Sequence, residues 1–273
     1  MKGMTAMTNQ TEMAAPLSLF DSDRYPIHDL ASKAGRDFVD AARREFEQNS
    51  LITLREFLRP EVAARITAQA LDDAKTGSHR FTGTSDVFSK SEADVERRTG
   101  LTYTKTDLPY DRIASDSPAL ALFRWDGVLE FISTVVGVPV YRSADPLGAA
   151  VIQIQNDGDQ QDWHFDISEF TILLHAQAPR SGGALQYVVR ARDQMLRDPK
   201  MIERIAAGDP SIEIRELATI PGTLVLHAGN ISMHRVTPTH GPVPRVNATL
   251  AFNSKPGAQL NEYTRMLHFG RNG

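Results

Sequence analysis

The sequence predicts an α+β fold in which helices of the first half buttress a β-rich second half that closes as a sandwich or barrel. Three observations point there. Helical periodicity dominates from Ile27 to about Gly137. From Val138 onward, short β-branched and aromatic runs follow one another, separated by Gly, Pro and Asp. The chain has 273 residues and is 41% apolar, enough to bury one sizeable core.

The elements follow in order. The N-terminal residues 1–20 lack periodic apolar positions and are expected to form a flexible tail, leaving 21–273 as a single domain with a helical part (27–137) and a barrel core (138–257). Leu30, Ala34, Phe38 and Ala42 recur at helical spacing. The run "LITLREFL" reads as a strand feeding a second helix that opens with Pro60 in a favourable first-turn position. Residues Thr76 to Asp116 are polar and read as a long loop, a candidate lid. "SPALALFRWDGVLEFISTVVG" returns to one helix, with Ser117 as its cap ahead of Pro118. The strand runs are "VPVYRS", "GAAVIQIQ", "FTILLHAQ", "GALQYVV", "IEIREL", "GTLVLHAG", "MHRVTP" and "RVNATLAFNS", interrupted by one helix from Ala191 to about Ala207.

Composition excludes several classes. A net charge of −4 and a pI near 6.1 leave no electrostatic footprint for nucleic acid or an anionic membrane. No run of eighteen apolar residues occurs and no signal peptide is visible, so a cytoplasmic protein is expected. With no cysteine, any metal must be held by oxygen and imidazole. Oligomeric state is not legible.

Among the eight histidines, His164 has a neighbour that matters. His164 and Asp166 are one residue apart, so on an extended strand their side chains leave the same face. His234 lies seventy residues later on another predicted strand. Two imidazoles and one carboxylate on one side of an ion make the facial triad of non-haem Fe(II) oxygenases. Arg245 follows His234 by eleven residues and opens an apolar strand, where a buried guanidinium needs an anion. A bidentate carboxylate suits it. A zinc hydrolase could use the same triad but gives Arg245 no role, and a non-catalytic barrel requires neither.

Taken together, His164-x-Asp166, His234 and Arg245, with "YRSADPLGA", "GDQQDWHFDISEF", "SGGALQYV" and "MHRVTPTHGPVPRVNATLAFNSKPG", resemble the iron(II)/2-oxoglutarate-dependent oxygenase superfamily, in a bacterial branch related to amino acid hydroxylases and radical halogenases. The resemblance spans about Val138 to Gly257. It implies a double-stranded β-helix, a jelly-roll or cupin-like barrel. It also implies that His164, Asp166 and His234 bind Fe(II), and that Arg245 binds the distal carboxylate of 2-oxoglutarate, with dioxygen as second cosubstrate. In halogenases of that branch the position of Asp166 is a small residue and chloride takes the vacated iron site. The carboxylate here implies oxygen transfer to a small molecule, with an amino acid the leading class and secondary metabolism the setting. Desaturation or ring closure is the alternative outcome.

Further candidates follow from type and position. Asn247 shares the strand face of Arg245, and Thr171 can donate to a carboxylate, so both are assigned to the cosubstrate. Lys105, Asp107 and Thr104 in the lid candidate, Asp145 before Pro146, and Asn230 just ahead of His234 are candidate substrate contacts, each with a turn or solvated-loop reading beside it. Trp163 is expected in the core. His175 and His227 either line the cavity or are satisfied strand histidines, and His240 is expected in a solvated turn.

Overall fold

The computed structural model describes residues 16–85, 87–88 and 102–273. Helix α1 (Lys33–Asn49) is capped by the Ser32 hydroxyl, which accepts from the Gly35 amide at 2.9 Å. Strand β1 (Leu51–Leu54) follows, then α2 (Pro60–Gly77) with its proline in the first turn. Strands β2 (His79–Thr84) and β3 (Thr102–Leu108) pair antiparallel along their whole length. Helices α3 (Pro118–Arg124) and α4 (Asp126–Val136) precede the β-rich half.

That half contains β4 (Tyr141–Arg142), β5 (Ala150–Gln155), β6 (Gln160–His164), β7 (Phe170–Gln177), β8 (Ser181–Gly182) and β9 (Leu185–Val188). Two short helices, α5 (Ala191–Gln194) and α6 (Met201–Ala206), interrupt it. The chain then runs through β10 (Arg215–Leu217), β11 (Leu224–His227), β12 (Met233–Val236), β13 (Thr239–His240) and β14 (Arg245–Asn253). Helix α7 (Glu262–Phe269) follows, capped by Asn261, which accepts from Thr264.

Twelve strands form one antiparallel sheet in the order β1-β11-β7-β14-β5-β3-β6-β12-β9-β10, with β2 on β3 and β4 on β14. The sheet curls until its ends meet: Leu51 and Val225, near one end, pack against Leu185 and Tyr187, near the other. This is the jelly-roll arrangement, α+β in class. The alternation of side chains separates two environments. Ile152, Ile154, Ile172, Leu174, Leu226, Val246, Ala248 and Leu250 face outward into the main core with Val39, Ile66, Phe131 and Ile132 of the buttressing helices. Val151, Gln153, Thr171, Leu173, Asn247 and Thr249 face inward and line cavities.

Four expectations are corrected. Residues 1–15 of the expected tail lie outside the described residues, but 16–20 are not loose. Phe20 is fully buried, stacked on Phe57 and Trp125, and bridges to Leu58. The candidate lid lies partly outside the described residues. Its ends are the hairpin strands β2 and β3, and β3 is an interior strand of the barrel between β5 and β6. Polar residues at Thr104, Lys105, Thr106 and Asp107 hid that strand, because its inward face looks onto a polar cavity rather than onto a core. The helix expected from Ser117 is broken at Trp125, whose extended backbone starts α4, and Ser117 makes no side-chain cap bond. The expected helix at 191–207 is split into α5 and α6.

Candidate metal centre

The histidines of the triad come from neighbouring strands. His164 ends β6, and His234 stands directly opposite it on β12. The register then slips, pairing Val236 with Gln161, so β6 holds one extra residue between its two pairs. This bulge lets Gln161 and His164, three apart, both face the interior. Asp166 lies beyond the strand, in a loop fixed by its amide donating to Gly229 O at 3.1 Å.

Each histidine is oriented from behind. His164 Nδ1 donates to Asp162 O at 2.8 Å and His234 Nδ1 to Ser232 O at 2.9 Å, which leaves both Nε2 lone pairs facing inward. Asp166 Oδ1 stands 3.7 Å from His164 Nε2 and 3.4 Å from His234 Nε2, and ligand atoms of the three residues all lie within 4.8 Å of one another. Cis ligands at bonds of about 2.1 Å stand roughly 3 Å apart, so a small closure brings this donor set onto one ion. Thr171 Oγ1 supports the carboxylate at 3.4 Å. Gly229 makes room for it: a Cβ there would sit 2.1 Å from Asp166 Oδ2.

The electrostatics suit a cation. Burial, and then the neighbouring His234, push the His164 imidazole well below its ordinary value, so it stays neutral. Burial alone would raise the Asp166 carboxyl and lower His234. Their mutual attraction and hydrogen bond outweigh it, so Asp166 is held far below the usual carboxylate range and His234 is raised.

Two chambers meet at His164 and Asp166. The inner one, about 40 Å³, is also lined by His227, His234, Arg245, Asn247, Leu173 and Leu185. The Arg245 guanidinium is 1% exposed, yet its partners are neutral: Nε donates to Thr219 Oγ1 at 3.0 Å and Nη1 to Gln155 Oε1 at 2.9 Å. Burial lowers its pKa to about 10. Asn247 Nδ2 donates to Thr249 Oγ1 while its Oδ1 has no protein partner. His175, on the same face of β7 as Thr171 and Leu173, is fully buried with both ring nitrogens unpartnered.

The outer chamber, about 110 Å³, is walled by Val151, Phe165, Ile167, Leu260 and Phe269. It also holds a buried ionic cluster. Lys105 Nζ lies 3.0 Å from Asp107 Oδ2, and His268 Nδ1 approaches the same oxygen at 3.2 Å. Burial would raise the Asp107 carboxyl, but Lys105 and His268 together hold it below its ordinary value. A wider groove of about 870 Å³ lies elsewhere, between α2 and the loops near Gln177 and Gly222, with no metal-ligating cluster.

The remaining candidates fall outside the chambers or serve other ends. Asp145 is engaged within the fold: Oδ1 accepts from the Leu147 and Gly148 amides, and Oδ2 from Leu260 N and Arg265 Nε. Asn230 lines neither chamber, and its carbonyl accepts from Arg192. Thr104 alternates to the outer face of β3, away from Lys105. Thr171 meets the Asp166 carboxylate and lines the outer chamber rather than the inner one. Trp163 is buried on the far side of the bulge, among Phe165, Val188 and Met233. His240 is exposed in β13. Ser168 faces the outer chamber, while Glu169 ties its loop to Ser254.

Sequence reasoning missed three contributors. Gln161 lines both chambers only because of the bulge, which has no sequence signal. His268 stands on α7, beyond the expected barrel, although Asn261 as a cap ahead of Glu262 marks that helix. Gly229 had a readable context, a glycine two residues after a strand histidine and five before His234.

Comparison with known proteins adds the lineage. By sequence, no curated protein matches the chain. Among solved structures, the non-haem α-ketoglutarate-dependent epimerase SnoN from nogalamycin biosynthesis superposes with a TM-score of 0.59 at 11% identity, covering 80% of this chain and 81% of that one. A prolyl hydroxylase from Trichoplax adhaerens, in complex with a hypoxia inducible factor peptide fragment, gives 0.55 at 13% identity, over 83% and 96%. A 2OG-Fe(II) oxygenase family oxidoreductase from Burkholderia pseudomallei gives 0.52 at 14%, over 81% and 92%. At these identities the likeness shows the fold. The family model described as Halogenase D matches residues 34–266, most of the chain and all of the triad. The protein therefore belongs to the Halogenase D family and has the fold of the iron(II)/2-oxoglutarate oxygenases.

Proposed function

We propose that the protein is an Fe(II)- and 2-oxoglutarate-dependent dioxygenase that hydroxylates a C–H bond of a small molecule, a free amino acid or derivative being the leading class. The observation that carries this reading is Arg245, a buried cation with only neutral partners in the chamber behind a His-Asp-His triad. A carboxylate arriving there offsets the desolvation of the guanidinium. Bound iron(II) supplies dioxygen activation, coupled to loss of carbon dioxide from 2-oxoglutarate, which leaves as succinate.

The chain's own residues do the rest. His164, Asp166 and His234 hold the ion from one side, and Arg245 with Asn247 fixes the far end of the cosubstrate. Phe165, Ile167, Leu260 and Phe269 exclude water from the outer chamber. Lys105, Asp107 and His268 present charge and hydrogen-bonding groups to a polar substrate there. Recognition of small, polar molecules suits the size of that chamber, and the fold shared with SnoN, an epimerase of nogalamycin biosynthesis, supports a setting in secondary metabolism. No described helix is long and apolar enough to cross a membrane, which accords with a cytoplasmic enzyme.

The family is named for halogenation, but Asp166 would take the place on the metal that a halide needs, so oxygen transfer is the favoured outcome. Desaturation or ring closure by the same centre is the second reading, supported by the fold it shares with a carbocyclase of TM-score 0.54. The test is anaerobic addition of Fe(II) and 2-oxoglutarate to the purified protein, which is expected to produce a weak visible charge-transfer band. Metal binding without that band sinks the proposal. Succinate release across a panel of amino acids then identifies the substrate.

A further inference from the structure

Most of the polar side chains that line the inner chamber have protein partners. Arg245 is held by Thr219 and Gln155, Gln161 Nε2 lies 3.0 Å from His164 Nε2, and the triad histidines are anchored through Nδ1. His227 differs. It ends β11, is fully buried, and neither of its ring nitrogens has a partner. Its ring stands edge-on to that of His234, with centroids 4.7 Å apart and an interplanar angle of 85°, and edge-on to Tyr187 at 5.9 Å.

A leucine or phenylalanine at this position would fill the same space without burying two orphaned nitrogens, each of which costs free energy unless something bonds to it. His227 lines the inner chamber and not the outer one, so its partner is a ligand of the inner chamber. It stands against the metal ligand His234. His175, the other orphaned imidazole, lines neither chamber; burial, and then the charge of Arg245, depresses its pKa.

On the cofactor reading proposed above, we infer that His227 is a cosubstrate-binding residue that donates a ring N–H to the keto-acid end of 2-oxoglutarate. Arg245 serves the distal carboxylate, so the two residues read opposite ends of one molecule. In its neutral form the His227 ring has one N–H to donate. A neutral donor fixes the ligand's orientation without competing with the metal for its charge.

The test titrates the full chain, anaerobic and loaded with Fe(II), with 2-oxoglutarate and with 2-oxobutyrate, a keto acid that lacks the distal carboxylate. Losing one hydrogen bond to a charged group is expected to weaken both ligands roughly tenfold or more in His227→Phe and to shift the absorption band. His227→Gln, which retains a donor, is expected to recover part of the loss. Arg245→Leu should weaken 2-oxoglutarate alone. Binding of both ligands by His227→Phe within twofold of the parent protein, with an unshifted band, overturns the inference. So does a loss confined to 2-oxoglutarate, which would place His227 at the distal end. Should His227→Phe not take up metal, the parent protein loaded with Zn(II) and ¹⁵N-labelled at histidine decides the matter. The ring resonances of His227, assigned by their absence in His227→Gln, must move on saturation with 2-oxoglutarate, and unmoved resonances overturn the inference. If the parent protein binds iron but forms no band with either keto acid, the cofactor reading itself fails.

Discussion

The two chambers share a wall at His164 and Asp166 but treat charge in opposite ways. In the outer chamber Lys105 and His268 both meet Asp107 Oδ2, so charge there is balanced within the fold, although Asp107 Oδ1 has no partner among the described residues. In the inner chamber, among the described residues, Arg245 has no anion, and Asn247 Oδ1 and His227 have no partners. The difference teaches what each end is built to receive. A chamber whose own groups are unsatisfied suits a ligand that supplies their missing partners. A chamber whose charges are already paired admits a substrate by exchange of partners and can release its product again.

The comparison breaks most completely if the shared wall is moved. Gly229→Ala places a methyl where Asp166 Oδ2 stands, and iron affinity is expected to fall roughly 100-fold while the circular dichroism spectrum is kept. Retained affinity would show that the loop yields and that the carboxylate is not held by that contact. On the inner side, Arg245→Leu should weaken 2-oxoglutarate roughly 100-fold in the same titration, with iron binding little changed. Equal loss of both would make the arginine a structural member of the sheet.

On the outer side, Lys105→Met leaves the Asp107 carboxylate buried with only His268 beside it. Urea unfolding should show a loss of about 3 kcal/mol, and Lys105→Met combined with Asp107→Leu should recover most of it. The pH dependence has a definite sign. Asp107 lies below its ordinary value in the fold, so its contribution is present above about pH 4 and is lost as pH falls through the folded value. Without Lys105, burial dominates and the sign reverses, so the deficit of Lys105→Met grows as pH rises from that point.

The smallest effect concerns the orphaned imidazoles. His175 and His227 have folded values of about 3, so between the ordinary histidine value of about 6.5 and that point only the unfolded chain takes up protons. Stability of the metal-free protein is then lost as pH falls below about 6.5. His175→Leu should flatten this limb, and an unchanged slope would mean that His175 is reached by water.

Legibility in the sequence followed how each residue is surrounded. The strands of the second half were readable because short β-branched and apolar runs are separated there by Gly, Pro and Asp, and their outward positions, such as Ile152, Leu174 and Leu250, face a conventional core. The same rule failed for β3, where Lys105 and Asp107 occupy inward positions and so resemble a solvated loop. His164, His234 and Arg245 could be proposed because their chemistry is local to their strands, and Asp166 because it stands two positions after His164. The partners that complete the chambers could not, because the bulge in β6 and the return of α7 over the barrel mouth arise from pairing and packing across long stretches of chain.

The position of Asp166 has one more consequence. It lies past the end of β6, outside any ladder, and is held by a main-chain bond to Gly229 that does not depend on its side chain. On the proposed ligand set, one substitution would alter the number of protein ligands with little effect on the folding of the barrel. In evolutionary terms, reaction type and fold stability are separately adjustable here. A lineage described by halogenation can thus include a member with a carboxylate at this place, because one codon sets the coordination while the scaffold is inherited unchanged.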